Sequence, residues 1–148
     1  MLNIVPLNEE HIESIYKIEK ESFSDPWKFE MFSGLSENNI AVCFTAFDDD
    51  EIVGFLISYH IASEIEILNI AVKQSKRRQN IAVKLFGAVF DYAKNNDIDE
   101  FFLEVRMSNT GAIGLYKKLG FEINGIRKNY YKNPTEDAIL MSLSLRLR

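Results

Sequence analysis

Glu64-Ile65-Glu66-Ile67-Leu68-Asn69-Ile70-Ala71-Val72, followed after Lys73-Gln74-Ser75-Lys76 by Arg77-Arg78-Gln79-Asn80-Ile81-Ala82, is the stretch whose reading decides the fold. Its first part alternates at Ile65 and Ile67 and then merges into the apolar Ile70-Ala71-Val72, as a strand does when it passes from a half-exposed edge into a core. A helix from about Gln79 to Asn95 follows, with a stripe of Ile81, Leu85, Val89 and Tyr92 backed by Phe86, Ala88 and Ala93 and broad enough to pack on a sheet. Such a strand-to-helix junction aims backbone N–H groups and the positive end of a helix dipole at one spot. Arg77 and Arg78 add charge there. The plain alternative is a solvated cationic helix start, but cations are disfavoured at that end of the dipole, so an anionic ligand is expected.

Outward from this junction the elements follow in order. Residues 2–6 read as a strand, and Asn8 is placed to cap a helix carrying Ile12, Ile15, Ile18 and Phe23, which Pro26 ends. Trp27, Phe29, Met31 and Phe32 suit a short second helix or ordered loop. Residues 40–47 and 51–60 form a hairpin around Asp48-Asp49-Asp50. Beyond the central helix, Asn95-Asn96-Asp97 is a stop signal, 99–105 a strand and 109–118 a helix with Gly120 set to close it in the left-handed conformation. Strands near 121–131 and 137–147, joined through Lys132-Asn133-Pro134-Thr135, complete a β-α-α-β-β-β-α-β-α-β-β order, a mixed α/β layer structure of seven strands and four helices.

A chain of 148 residues supports one core, so residues 1–148 are read as a single domain. The apolar runs are strand-sized and fall short of the roughly 20 residues of a membrane span. A net charge of −5 argues against broad phosphate-driven binding of nucleic acid, while it leaves room for a cationic partner. Cys43 is the only cysteine, which forbids an internal disulfide, and with only His11 and His60 no metal-ligand cluster is recognisable, so no metal is expected. The N-terminus lacks a basic, then apolar, secretory pattern, and a cytoplasmic location is expected.

Further motifs are more specific: Leu103-Glu104-Val105-Arg106 with Ser108-Asn109, Ala112-Ile113, Leu115 through Phe121, Arg127-Lys128-Asn129-Tyr130-Tyr131, and Glu136-Asp137-Ala138-Ile139. In this order and spacing the chain resembles the GNAT superfamily of acetyl-CoA-dependent N-acetyltransferases, and within it the RimI-type enzymes. The GNAT signature of arginine or glutamine, two residues, glycine, one residue, and glycine or alanine matches Arg77 to Ala82 except at Asn80. At a glycine position where backbone nears a pyrophosphate, asparagine is the side-chain-bearing residue that best tolerates a positive φ.

The resemblance implies a GNAT fold in which strands 64–72 and 99–105 are parallel neighbours that splay apart, leaving backbone groups at Ile70, Ala71 and Val72 free for the pantetheine arm of acetyl-CoA. It implies that Arg77, Arg78, Gln79, Asn80, Ile81 and Ala82 hold the pyrophosphate, with Asn109 as helix cap, cofactor contact or both. It places the general base at Glu104, otherwise a solvent-facing strand carboxylate, and the general acid at Tyr116, otherwise core packing. Tyr130 and Tyr131 alternate on a strand, so one of them lines the substrate groove, and Tyr131 is favoured. The activity implied is transfer of acetyl from acetyl-CoA to the N-terminal alanine of a small-subunit ribosomal protein. Acetylation of a small amine and a non-catalytic acetyl-CoA-binding module stand as alternatives.

Overall fold

The computed structural model describes residues 1–146. Strands β1 (Leu2–Pro6), β2 (Ala41–Asp48), β3 (Glu51–Ile61), β4 (Glu64–Val72), β5 (Glu100–Arg106), β6 (Glu122–Tyr131) and β7 (Glu136–Ser144) form one sheet in the spatial order β1-β2-β3-β4-β5-β7-β6. All neighbours are antiparallel except β4 and β5, and that parallel pair requires the crossover supplied by α3 (Ile81–Asn95). The element order read from the sequence is the one observed. The expected last strand, 137–147, ends at Ser144, and residue 147 lies outside the described residues.

Two helical layers cover the sheet. Ile81, Leu85, Phe86 and Val89 of α3 and Tyr116 of α4 (Thr110–Lys118) pack with Ile65, Ile67, Leu103 and Val105 on one face. Ile12, Ile15 and Ile18 of α1 (Ile12–Ser22) and Phe32 of α2 (Phe29–Phe32) pack with Phe55, Ile57 and Ala71 on the other. No described helix is long and apolar enough to cross a membrane.

Local chemistry sets the helix ends. Asn8 caps a short 3-10 turn, Glu9–His11, by accepting from the Glu10 N–H at 2.9 Å, and α1 starts only after it. That helix closes at Ser22, ahead of Pro26, because Phe23 is already extended. At the other end of the fold Gly120, with φ 104°, reverses the chain after α4 as expected.

The register of β4 matters most. Its pairing with β5 runs only from Glu64↔Glu100 to Ile67↔Leu103, while β3 follows it to Val72 and β7 follows β5 to Arg106. On the β3 side the register jumps from Ser58↔Ile67 to Ile57↔Asn69, leaving Leu68 as the extra residue of a β-bulge. A bulge adds twist and bends the strand that carries it, so β4 turns away from β5 where their pairing stops. It also shifts the side-chain phase by one: Ile65 and Ile67 face the α3 layer before it, Ile70 and Val72 after it.

α3 crosses close over β3 at Gly54, where a Cβ would sit 3.1 Å from the Ala71 carbonyl oxygen and 3.3 Å from Ile81 Cγ2. Gly54→Val therefore overpacks a backbone contact that cannot yield, and it is expected to destabilise the protein by about 1–3 kcal/mol. Urea unfolding measures this, and an unchanged midpoint contradicts it.

Candidate active site

Beyond Ile67 and Leu103 the two central strands no longer pair, which leaves a gap between them. The Lys73 N–H donates to the Val53 carbonyl at 2.7 Å, and the alternation of an antiparallel ladder then turns Ala71 toward β3 and Ile70 and Val72 toward the gap. Of the three residues expected there, Ile70 and Val72 thus present free amides, while the Ala71 amide is engaged by β3. The Val72 carbonyl accepts from Arg77 Nε at 3.2 Å, which folds that arginine over the mouth of the gap.

The mouth continues into the start of α3. Asn80 adopts φ 62° and Arg78 φ 67°, so both lie in the left-handed region, and the helix begins at Ile81 rather than Gln79. Asn80 provides no side-chain cap and the first turn of α3 has no acidic residue, so the amides of Ile81, Ala82 and Val83 lack intrahelical partners. Arg77, Arg78, Gln79 and Asn80 are exposed around them. This is a cradle for an anion. Asn109 caps α4 by accepting from the Ala112 N–H at 3.2 Å.

Glu104 is the first β5 residue past the paired segment. Strand alternation sets it on the α1 face, partly exposed, while Leu103 and Val105 are buried on the α3 face. Its carboxylate lies 3.7 Å from Arg127 Nη1, a loose pair with an exposed arginine that holds it weakly. A cavity of about 220 Å³ opens beside it between Glu66, Phe102, Asn124 and Arg127. Another, of about 320 Å³, lies between α1 and the β2–β3 hairpin next to Lys73, away from Glu104.

Tyr116 comes from the opposite, α3 face, edge-on to Phe86 at 5.8 Å. Burial, reinforced by Tyr131, raises its pKa well above that of an ordinary phenol. Tyr131 ends β6. Burial first, then the Glu104 and Tyr130 charges, raise its pKa to about 12. Glu104 and Tyr116 thus lie on opposite faces of the sheet.

Tyr130 does not turn away as strict alternation predicts. Asn129 is left-handed at φ 52° and the β6–β7 register shifts between Arg127 and Tyr131, so Tyr130 also approaches Glu104 and forms an edge-on pair with Tyr131 at 5.0 Å. Burial first, then the neighbouring Glu104 carboxylate, raise the Tyr130 pKa.

Arg106 fixes this corner. Its guanidinium donates to the carbonyls of Lys132 at 2.7 Å and Pro134 at 2.9 Å and to Glu136 Oε1 at 3.1 Å, and it stacks over the Tyr131 ring at 4.6 Å. Glu136 also accepts from the Ser108 N–H at 2.6 Å; the Ser108 side chain, its N–H and Arg106 hold the Glu136 carboxyl below the usual range.

Glu19, on α1, is the residue that sequence reasoning passed over. It is 1% exposed, accepts from the Trp27 N–H at 2.8 Å and from Asn69 Nδ2 at 2.7 Å, and has no cation among its described partners. Its signal was present, since Glu19 continues the buried stripe of Ile12 and Ile15 at helical spacing. Among the described residues, no group of three His, Cys, Asp or Glu side chains is arranged to hold a metal.

Residues 12–121 match the acetyltransferase (GNAT) family, and the chain belongs to that family. It is 37% identical over 137 residues to the putative [ribosomal protein bS18]-alanine N-acetyltransferase of Bacillus subtilis (strain 168), covering 92% of this chain and 91% of that protein. The crystal structure of the ribosomal-protein-S18-alanine N-acetyltransferase from Escherichia coli superposes with a TM-score of 0.91 at 30% identity, covering 100% of this chain and 96% of that one. A GNAT family acetyltransferase from Elizabethkingia anophelis, solved with acetyl-CoA bound, superposes with a TM-score of 0.77 at 25% identity over 97% of this chain and 98% of its own.

Desolvation of Glu19 raises its pKa above the ordinary 4.5 despite the two donors. The folded state thus binds a proton more readily than the unfolded one, and the burial penalty is absent below the unfolded pKa and complete above the folded one. Wild-type protein should lose stability relative to Glu19→Gln as pH rises from 4.5 through the folded pKa. Urea unfolding of both proteins across that window checks this, and a pH-independent difference contradicts it.

Proposed function

We propose that this protein transfers acetyl from acetyl-CoA to the N-terminal alanine of a small-subunit ribosomal protein, by direct attack in a ternary complex. The observation that carries the proposal is the gap beyond Ile67 and Leu103, where β4 and β5 stop pairing, with Glu104 on one face of the sheet and Tyr116 packed on the other. The names of the Bacillus subtilis and Escherichia coli relatives supply the acceptor.

In this reading the pantetheine arm lies along β4, and the free amides of Ile70 and Val72 are donors for the arm and the thioester oxygen, where negative charge develops as the amine attacks. The exposed amides at the start of α3, with Arg77 and Arg78, receive the pyrophosphate. The amine arrives on the Glu104 side and the sulfur departs on the Tyr116 side, so attack and departure take place from opposite faces. An α-ammonium has a pKa of about 7.7–8.0, so a carboxylate acting directly or through water suffices to remove its proton near neutrality. Tyr131 and Tyr130 border the path of the acceptor.

The raised pKa of Tyr116 refines its role. A thiol titrates near 8.5, so complete proton transfer to a free thiolate is uphill for a phenol above its ordinary value of about 10. Tyr116 donates a hydrogen bond to the sulfur as charge develops; the proton lost by the amine goes to Glu104, and the thiolate takes its own proton from solvent as the coenzyme leaves.

Glu104→Gln is expected to lower kcat/KM for an alanine-initiated peptide by about 10²-fold or more, the scale of general-base assistance, with acetyl-CoA affinity retained. Tyr116→Phe should lower kcat with little change in KM. Mass spectrometry of the product locates the acetyl group. Wild-type rates in both variants contradict the assigned roles, and acetyl found on small amines but never on the peptide N-terminus contradicts the acceptor.

A further inference from the structure

Glu19 has no part in the chemistry above, yet it is a buried carboxyl, which is costly unless its hydrogen bonds matter. One oxygen accepts from the Trp27 N–H, in the segment between α1 and α2, and the other from the side chain of Asn69. Asn69 is the residue immediately after the bulged Leu68. Both of these side chains lie on the α1 side, Leu68 packed against the core there and Asn69 bonded to Glu19.

We propose that the Glu19–Asn69 hydrogen bond is a register lock: it holds β4 in the bulged phase that turns the Ile70 and Val72 amides into the gap, making Glu19 and Asn69 positioning residues for acetyl-CoA. The alternative phase shows why a lock is needed. A strand's side chains alternate with period two, so without the extra residue Asn69 would face the α3 core while Ile70 and Val72 turned to the α1 layer. The amides now free would rotate with them, and β4 could go on pairing with β5 past Ile67, closing the gap. The apolar pattern already disfavours that phase. The hydrogen bond decides it, because it satisfies a carboxyl that would otherwise lose one of its two donors in the interior. The same carboxyl ties the strand to the backbone at Trp27, so the coenzyme strand and the α1–α2 segment share one anchor.

The inference rests on the reading that acetyl-CoA occupies the gap, and calorimetric titration with acetyl-CoA separates the two. Asn69→Asp sets two carboxyls against each other and should weaken acetyl-CoA binding by about ten-fold, the worth of one buried hydrogen bond. Adding Glu19→Gln restores a donor–acceptor pair: the amide introduced on α1 donates to the new carboxylate on β4, while its oxygen still accepts from Trp27. The double variant should recover wild-type affinity and kcat. A purely structural role predicts a lower melting temperature at unchanged affinity, and that result overturns the lock. If Asn69→Asp does not fold, the double variant decides alone: folded with wild-type affinity supports the lock, and weak binding or failure to fold overturns it. Wild-type protein that does not bind acetyl-CoA overturns the functional reading itself, and the lock with it.

Discussion

Everything in this fold turns on backbone hydrogen bonds that β4 and β5 do not make. Parallel neighbours in the middle of a sheet ordinarily pair along their length, because unpaired buried amides are costly. Here four residue pairs join and then the strands part. The cost is limited because β3 and β7 continue to engage the outer edges of both strands to their ends. What remains open is the inner pair of edges, a strip of donors and acceptors leading from the middle of the sheet to the start of α3.

The candidate site follows from that opening. Strand alternation delivers Glu104 to one face, and the helix after β5 brings Tyr116 to the other. Neither side chain would have anything to do with the other across an intact sheet. Arg106 then uses its planar fork to clasp the β6–β7 turn against the end of β5 and stack on the Tyr131 ring, a geometry that lysine cannot reproduce. Little of this depends on exposed ion pairs. It depends on backbone register, buried hydrogen bonds and aromatic packing.

The order of elements was legible because each long element carries its own apolar period. The bulge was legible in principle: the core-facing positions run Ile65, Ile67, then Ile70, Val72, and that change of phase demands one inserted residue. The positive φ of Asn80 was anticipated from the residue type that stands where related sequences carry glycine. Strict alternation does not describe Tyr130, because Asn129 takes a left-handed conformation and nothing in the local pattern of Arg127 through Tyr131 announces that kink. Glu19 stayed hidden for a different reason. A glutamate on a helix stripe reads as solvated unless its donors are known, and Trp27 and Asn69 come together with it only in three dimensions.

The free inner edge of β4 can be measured directly through the amide hydrogen exchange of single residues. Ile70 and Val72 should exchange faster than Ala71, which β3 protects, and adding acetyl-CoA should slow the exchange of one or both while leaving Ala71 unchanged. If Ile70 and Val72 are as protected as Ala71 in the free protein, or remain unaffected by saturating acetyl-CoA, the gap is not where the coenzyme binds.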